Sequence, residues 1–230
     1  MLLLLFVSLA LASFIFEALM TVKIYQKQKQ FCKNFKINTS QLPSLTFCIV
    51  KRLADVLVSF LVCITVLPIL YVVFAPLIKL TSKGPVIFKQ ERIGFLNKHF
   101  ICYKFRSMYL NNDNIAAGPN DKRVTKIGRL MRKTHIDEFP QFFNVLIGDM
   151  SIVGPRPSTP FAALKLQKSQ RYMERLLIKP GITGLAQINS NRTLEHNQIM
   201  FFDLTYLEKM SCKKDLFIIF ETLKFKDIAY

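Results

Sequence analysis

The chain has 230 residues, 32 Lys and Arg against 15 Asp and Glu, a formal charge of +17 and 51% hydrophobic residues. That hydrophobicity excludes an intrinsically disordered chain. Five scattered cysteines, with no Cys-x-x-Cys and no histidines at zinc spacing, exclude a disulfide scaffold and suit a reducing compartment. The length accommodates one ordinary domain with membrane segments. The positive excess calls for an anionic partner, whether a lipid surface, nucleic acid or a phosphorylated substrate.

In chain order, Leu2 to Val22 is apolar apart from Ser8, Ser13, Glu17 and Thr21, which is about the 20 residues a helix needs to cross a bilayer. No basic segment precedes it, as a signal peptide would require, and Lys23, Lys27, Lys29, Lys33 and Lys36 follow it. The positive-inside rule then puts Met1 outside and the rest in the cytoplasm, so residues 1–22 read as a membrane anchor and 23–50 as a basic cytoplasmic linker. A second apolar run, Leu53 to Leu80, has Lys51 and Arg52 before it and Lys79, Lys83 and Lys89 after it, with Pro68 near its middle and Pro76 beyond. Basic flanks on both sides favour one face for both ends. A helix broken at Pro68 that returns, and a proline-kinked spanning helix, both satisfy the composition of 51–83.

The remainder, 84–230, reads as the soluble domain. Val86, Phe88 and Ile93, then a polar turn at Asn97 and Lys98, then Phe100, Cys102 and Phe105 predict a β-hairpin. Residues 111–122 are turn-rich and predict a loop. Val124, Ile127, Leu130 and Met131 recur at helical spacing, and a further helix is expected over 161–178, with Lys165, Lys168, Arg171 and Arg175 along one face, either solvated or resting on anionic headgroups. Between Lys79 and Lys133 the charges are overwhelmingly basic, yet no helix-turn-helix, RNP-like motif or zinc finger supports nucleic acid as the partner.

The chemistry concentrates in Arg132-Lys133-Thr134-His135-Ile136-Asp137-Glu138-Phe139-Pro140-Gln141. Proline suits a first helical turn, so a helix is expected to start near Asp137, with Thr134 or Asp137 as its cap. Alone, the acid pair reads as capping. Placed beside Arg132 and Lys133 at a helix start, Asp137 is expected to stay ionised at neutral pH. Arg156 follows in a loop stiffened by Pro155 and Pro157, suited to gripping phosphate. Lys179-Pro180-Gly181-Ile182-Thr183-Gly184 is a second stiff turn, followed by Gln187, Asn189 and Arg192. Gln90-Glu91-Arg92-Ile93-Gly94 and Lys104-Phe105-Arg106-Ser107-Met108 add cations from the hairpin.

Together and in this order, from about Lys51 to Phe225, these segments resemble the monotopic phosphoglycosyl transferases of the bacterial sugar transferase family. Asp203 with Tyr206, and Asp215 before an apolar C-terminal helix, extend the match. Leu67 stands where many relatives carry a small residue, and Asn189-Ser190-Asn191-Arg192 replaces a Gly-Arg-Asn-like segment. The resemblance implies an α+β, mostly helical, membrane-associated fold with a re-entrant helix-break-helix, a small hairpin and amphipathic surface helices. It also implies a catalytic domain on the cytoplasmic face of the bacterial inner membrane.

The activity implied is transfer of a sugar phosphate from a nucleoside-diphosphate sugar, uridine by family habit, to polyprenyl (undecaprenyl) phosphate, which starts a surface polysaccharide. Mg2+ is the implied cofactor, held by Glu138 and Asp137, with Asp137 as nucleophile. Arg156, Arg132, Lys133, Arg92, Lys104, Arg106, Lys179, Gln187 and Arg192 are the expected phosphate and substrate contacts. Membrane lipids are the further partner, nucleic acid is not, and homo-oligomerisation is left open. A glycosidase is disfavoured, because neighbouring carboxylates cannot flank a sugar from two sides. The alternative from another class is a basic, membrane-anchored adaptor for anionic lipid or nucleic acid that performs no chemistry.

Overall fold

A computed structural model describes residues 2–110, 121–166, 169–189 and 196–224. Helix α1 (Leu2–Asn34) runs unbroken through the segment expected to begin a linker, and Phe31, Cys32 and Ile37 at its end are buried in the largest hydrophobic core. After a short turn, Ser44 caps α2 (Leu45–Ile64) by accepting from the Phe47 amide, and α3 (Val66–Thr81) follows with a bend of 45°. Among the described residues no single helix is long and apolar enough to cross a membrane, whereas this bent pair passes by length and composition.

The break lies at Thr65 rather than at Pro68, which occupies the first turn of α3. The reason is the proline itself. Its ring clashes with the carbonyl four residues back and it has no amide to donate there, so the disruption falls upstream, at the end of α2. Leu57, Phe60, Leu61 and Ile64 of α2 and Ile69, Val72, Val73 and Leu80 of α3 are exposed, a continuous apolar surface. The outer ends of the pair are not free. Arg52 and Asp55 of α2 bond to the globular body, and Phe74 and Ile78 of α3 are buried against Val86, Phe105 and Met131.

The expected hairpin is present as β1 (Ile87–Ile93) and β2 (His99–Phe105), antiparallel from Ile87↔Phe105 to Ile93↔His99. Leu96 and Asn97 both take positive φ in its turn, at 52° and 61°. The loop expected at 111–122 falls almost wholly outside the described residues. Helix α4 (Lys126–Lys133) starts where the Thr125 hydroxyl accepts from the Gly128 amide, and it ends on Arg132 and Lys133, cations suited to a helix C-terminus.

Helix α5 (Gln141–Ile147) begins after Pro140, so neither Thr134 nor Asp137 caps it. Thr134 instead closes α4, His135 turns left-handed at φ 56°, and Asp137 and Glu138 sit in a single 3-10 turn between the two helices. A residue in that left-handed conformation interrupts the helical path, which delays the new helix to Gln141. Gly148, at φ 94°, ends α5.

A parallel pair, β3 (Ser151–Val153) and β4 (Gly181–Thr183), is bridged by α6 (Pro160–Leu166) and α7 (Gln170–Arg175), the crossover that parallel strands require. The single helix expected over 161–178 is therefore two, because Ser169 is extended at φ −83° and ψ 124°. Its expected basic face is also corrected at one position: Arg175 is buried, paired with Asp203 at 2.6 Å. At the end of the pair the two backbones nearly touch. A Cβ on Gly154 would lie 2.3 Å from the Lys179 carbonyl, and one on Gly181 2.1 Å from the Gly154 amide. Helices α8 (Leu185–Asn189), α9 (His196–Glu208) and α10 (Cys212–Leu223) complete the chain and cover the core around Tyr172, Leu177, Tyr206 and Ile218.

Candidate active site

The acid pair is adjacent in sequence but not in environment. Glu138 is gripped by two cations from distant segments: its Oε1 accepts from Lys104 Nζ on β2 at 2.6 Å and from Arg156 Nη2 at 3.1 Å. Burial opposes its ionisation, but the Lys104 and Arg156 charges and the Lys104 hydrogen bond hold it well below the usual carboxylate range. Glu138 is thus a fixed anion.

Asp137 is buried, 7% exposed, and accepts no hydrogen bond from the described residues. Desolvation, then the neighbouring Glu138 charge, push its carboxyl up to about 7 despite Lys104, Arg132 and Arg156. The expectation of a fully ionised Asp137 is corrected here. The site's nearest cations are spent on its neighbour, and the helix start that was to stabilise it lies further on.

A small cleft of about 220 Å3 opens beside the pair, lined by Arg92, Lys104, Gln141, Arg156, Pro157 and Gly181. Arg92 is oriented by two bonds to Gln90 Oε1 and one to the Pro157 carbonyl. Arg156 stays half exposed, at 49%, and its loop is held from behind by Arg175, which donates to the Arg156 carbonyl and to Ser158 Oγ. Asn144 of α5 ties β2 in place, accepting from the Tyr103 amide and donating to the Ile101 carbonyl. That contact sets the strand bearing Lys104 against the helix that follows the acid pair.

The structure therefore gathers Asp137, Glu138, Lys104, Arg156 and Arg92, with Arg132 close enough to act on Asp137 and bonded to Ser107 Oγ at 2.9 Å. Lys133 is exposed on the last turn of α4. Three expected contacts lie elsewhere. Arg106 is buried and donates to the Ser82 carbonyl at the end of α3. Lys179 sits with Arg52, Asp55, Glu17 and Asp149, and burial lowers its ammonium to about 8. Gln187 turns inward to the Ile182 carbonyl. Arg192 lies outside the described residues. Asn144 was missed from the sequence, and Gln90 and Arg175 were named there without these roles. Arg175 did carry one signal there, its place on a helix that must bury one side.

The donor set can be tested against Mg2+. Among the described residues no three His, Cys, Asp or Glu side chains cluster. Both cations on Glu138 use Oε1, which leaves Oε2 and the Asp137 carboxylate as two hard oxygen donors. Mg2+ is commonly held by one or two carboxylates, with water and substrate phosphate filling the other positions, so these residues fit it.

Comparison with known proteins converges on the same segments. Residues 46–226 match the model of the family described as bacterial sugar transferase. The chain is 50% identical over 182 residues to a UDP-glucose:undecaprenyl-phosphate glucose-1-phosphate transferase of Klebsiella pneumoniae, covering 75% of this chain and 39% of that protein. It is 39% identical over 192 residues to a UDP-N-acetylgalactosamine-undecaprenyl-phosphate N-acetylgalactosaminephosphotransferase of Aeromonas hydrophila, covering 80% and 45%. With an undecaprenyl-phosphate galactose phosphotransferase of Salmonella typhimurium it shares 35% over 196 residues, covering 76% and 40%. The chain thus spans less than half the length of these curated relatives.

Proposed function

Since this chain belongs to the bacterial sugar transferase family, we propose that it transfers a sugar 1-phosphate from a UDP-sugar to undecaprenyl phosphate at the cytoplasmic face of the inner membrane, the first step of a surface polysaccharide. The observation that carries the reading is the division of labour in the acid pair. Glu138 is neutralised by Lys104 and Arg156, which with Arg92 line a small cleft, while its neighbour Asp137 is buried and accepts no side-chain hydrogen bond among the described residues. An adaptor needs no such division, and the relatives' names favour chemistry.

The sequence of steps is a double displacement. An Asp137 carboxylate oxygen attacks the phosphorus that bears the sugar, and the bond from that phosphorus to the bridging oxygen breaks. UMP leaves with the electron pair. An oxygen of undecaprenyl phosphate then attacks the same phosphorus, the bond to Asp137 breaks, and the carboxylate is regenerated as the lipid-linked diphosphate sugar departs. Phosphoryl transfer asks mainly for alignment and charge neutralisation. Arg92, Lys104 and Arg156 supply cations for the donor phosphates, and burial keeps Asp137 poorly hydrated and aimed. Mg2+ on Glu138 and Asp137, when bound, would screen the donor diphosphate from the attacking carboxylate.

The membrane reading rests on the bent α2–α3 pair, whose two outer ends are bonded to one body while its middle exposes apolar residues. It supports a re-entrant, monotopic attachment. The test offers membranes containing the full chain a panel of UDP-sugars with undecaprenyl phosphate and Mg2+. One sugar nucleotide should release UMP and form a lipid-linked product, and no release from any of them would refute the reading.

A further inference from the structure

Helix α1 precedes the residues that match the family, yet it is fastened to the body at two points from its middle onward. Near its middle, Glu17 Oε2 accepts from Arg52 Nε at 3.0 Å and its Oε1 from Arg52 Nη2 at 3.3 Å. Eleven residues on, about 16 Å at helical rise, buried Gln28 donates to the Leu177 carbonyl at 2.7 Å. Between the two points Thr21 is buried, and Ile24 lines an open cleft shared with Phe47, Ile178 and Met210. The polar bonds add to the packing of Phe31 and Cys32 in fixing α1 against the body.

Arg52 is more than a docking point. Its Nη1 donates to the Val145 carbonyl at 2.7 Å, which also accepts from the Gly148 amide, and its Nη2 to the Leu146 carbonyl at 3.0 Å, both in the last turn of α5. One turn along α2, Asp55 accepts from the Ile152 amide at 3.1 Å, on β3. These bonds grip the α5–β3 junction, which lies along the chain between Glu138 and Arg156. Those two side chains must meet at 3.1 Å. The Arg52 side chain is 11% exposed, and a second cation is close: Arg52 Nη2 and Lys179 Nζ both come 3.5 Å from where a Cβ on Gly148 would lie. Without Glu17, Arg52 would lose the carboxylate it bonds, and it would share Asp55 and Asp149 with Lys179 in a half-buried site. Arg52 would then do better turned towards water, away from α5.

We propose that Glu17 is a positioning residue for the Asp137–Glu138 site: by neutralising Arg52 it keeps the α5–β3 junction where Glu138 and Arg156 can meet. The activity arm of the test rests on the function proposed above, and the exchange arm does not. Hydrogen exchange and donor turnover are measured on the full chain in lipid nanodiscs, as the parent, Glu17→Gln, Glu17→Asp and the exposed control Lys27→Gln.

Exchange across 146–153 should rise about tenfold in Glu17→Gln, stay near parental over 200–207, and be largely restored in Glu17→Asp. With the sugar nucleotide the parent accepts, kcat should fall about tenfold while the donor KM rises less, since Arg92 and Lys104 keep their places and only Arg156 is displaced. Lys27→Gln should match the parent in both. Unchanged exchange over 146–153 in Glu17→Gln would overturn the proposal, and so would a rise spread evenly along the chain or a parental kcat. If the parent turned over no UDP-sugar, the functional reading would fail, and the exchange profile alone would still decide whether Glu17 holds the junction.

Discussion

Asp137 and Glu138 share a backbone turn, yet one is a pinned anion and the other a buried carboxyl held near neutrality. The difference comes from where the cations reach. Lys104 arrives from β2 and Arg156 from the loop after β3, and both bond to Glu138. The roles assigned above give opposite expectations for conservative changes. With donor alone, the parent should release about one equivalent of UMP and carry a sugar-phosphate adduct on the peptide containing Asp137, read by mass spectrometry. Asp137→Asn should lose adduct and turnover together. Glu138→Gln should cut turnover about a hundredfold or more, because Lys104 and Arg156 lose their counter-charge and the metal loses a donor, and EDTA should silence the parent. Substantial turnover in Asp137→Asn, or UMP appearing only once lipid acceptor is added, would favour direct transfer. The acid pair was legible in the sequence, but its electrostatics were not, because burial and the approach of Lys104 and Arg156 are not local properties.

The element that bears most on function is the α2–α3 pair. Its 20 and 16 residues are about 30 Å and 24 Å long at helical rise, well beyond a hydrocarbon core of about 30 Å if laid end to end. Both outer ends are also claimed by the same body, through Arg52 and Asp55 on one side and Phe74 and Ile78 on the other. In the re-entrant reading proposed above, both sets of contacts lie on one face of the membrane. In a chain freed of its five cysteines, single cysteines at exposed Thr46 and at Lys83 should therefore react with an impermeant thiol reagent from the same face of sealed vesicles. Opposite accessibility would make the pair a kinked span. Lys51 is less suitable for labelling, because its ammonium is 2.6 Å from Asp215. Sequence composition indicated a break and its rough position. The break itself lies at Thr65 because a proline disrupts the turn before it.

At the scale of the whole molecule, Arg175 joins the site to the core. It pairs with Asp203 of α9, whose side chain is 1% exposed, and holds the Arg156 loop through the Arg156 carbonyl and Ser158. Removing one partner of such a pair strands a buried charge, at about 3–5 kcal/mol. Arg175→Leu should lower the thermal midpoint in detergent by about ten degrees. Arg175→Leu combined with Asp203→Leu should recover much of that loss, since no charge is then left unpaired. Equal midpoints for the single and double variants would show that packing, rather than the charge, is what the site loses. Of the basic face expected over 161–178, Lys165 and Arg171 are exposed and Arg175 is not: a cation's helical position is readable from spacing, whereas the carboxylate that buries Arg175 comes from another helix.

Local patterns by themselves determined the hairpin, the α4 helix, the apolar run with its break, and the order of motifs that marks the family. Alternation, helical periodicity and a proline act within a few residues, so no partner is needed to read them. Only the tertiary structure decided the rest. It sent Lys104, Arg156 and Arg92 to the acid pair, and Arg106, Lys179 and Gln187 away from it. It also turned the end of the N-terminal helix into core rather than linker. Each of these outcomes depends on bonds between residues far apart in the chain, such as Arg52 with Val145 or Arg175 with Asp203, and on the burial those bonds create. Charge and spacing along the chain carry no information about that burial.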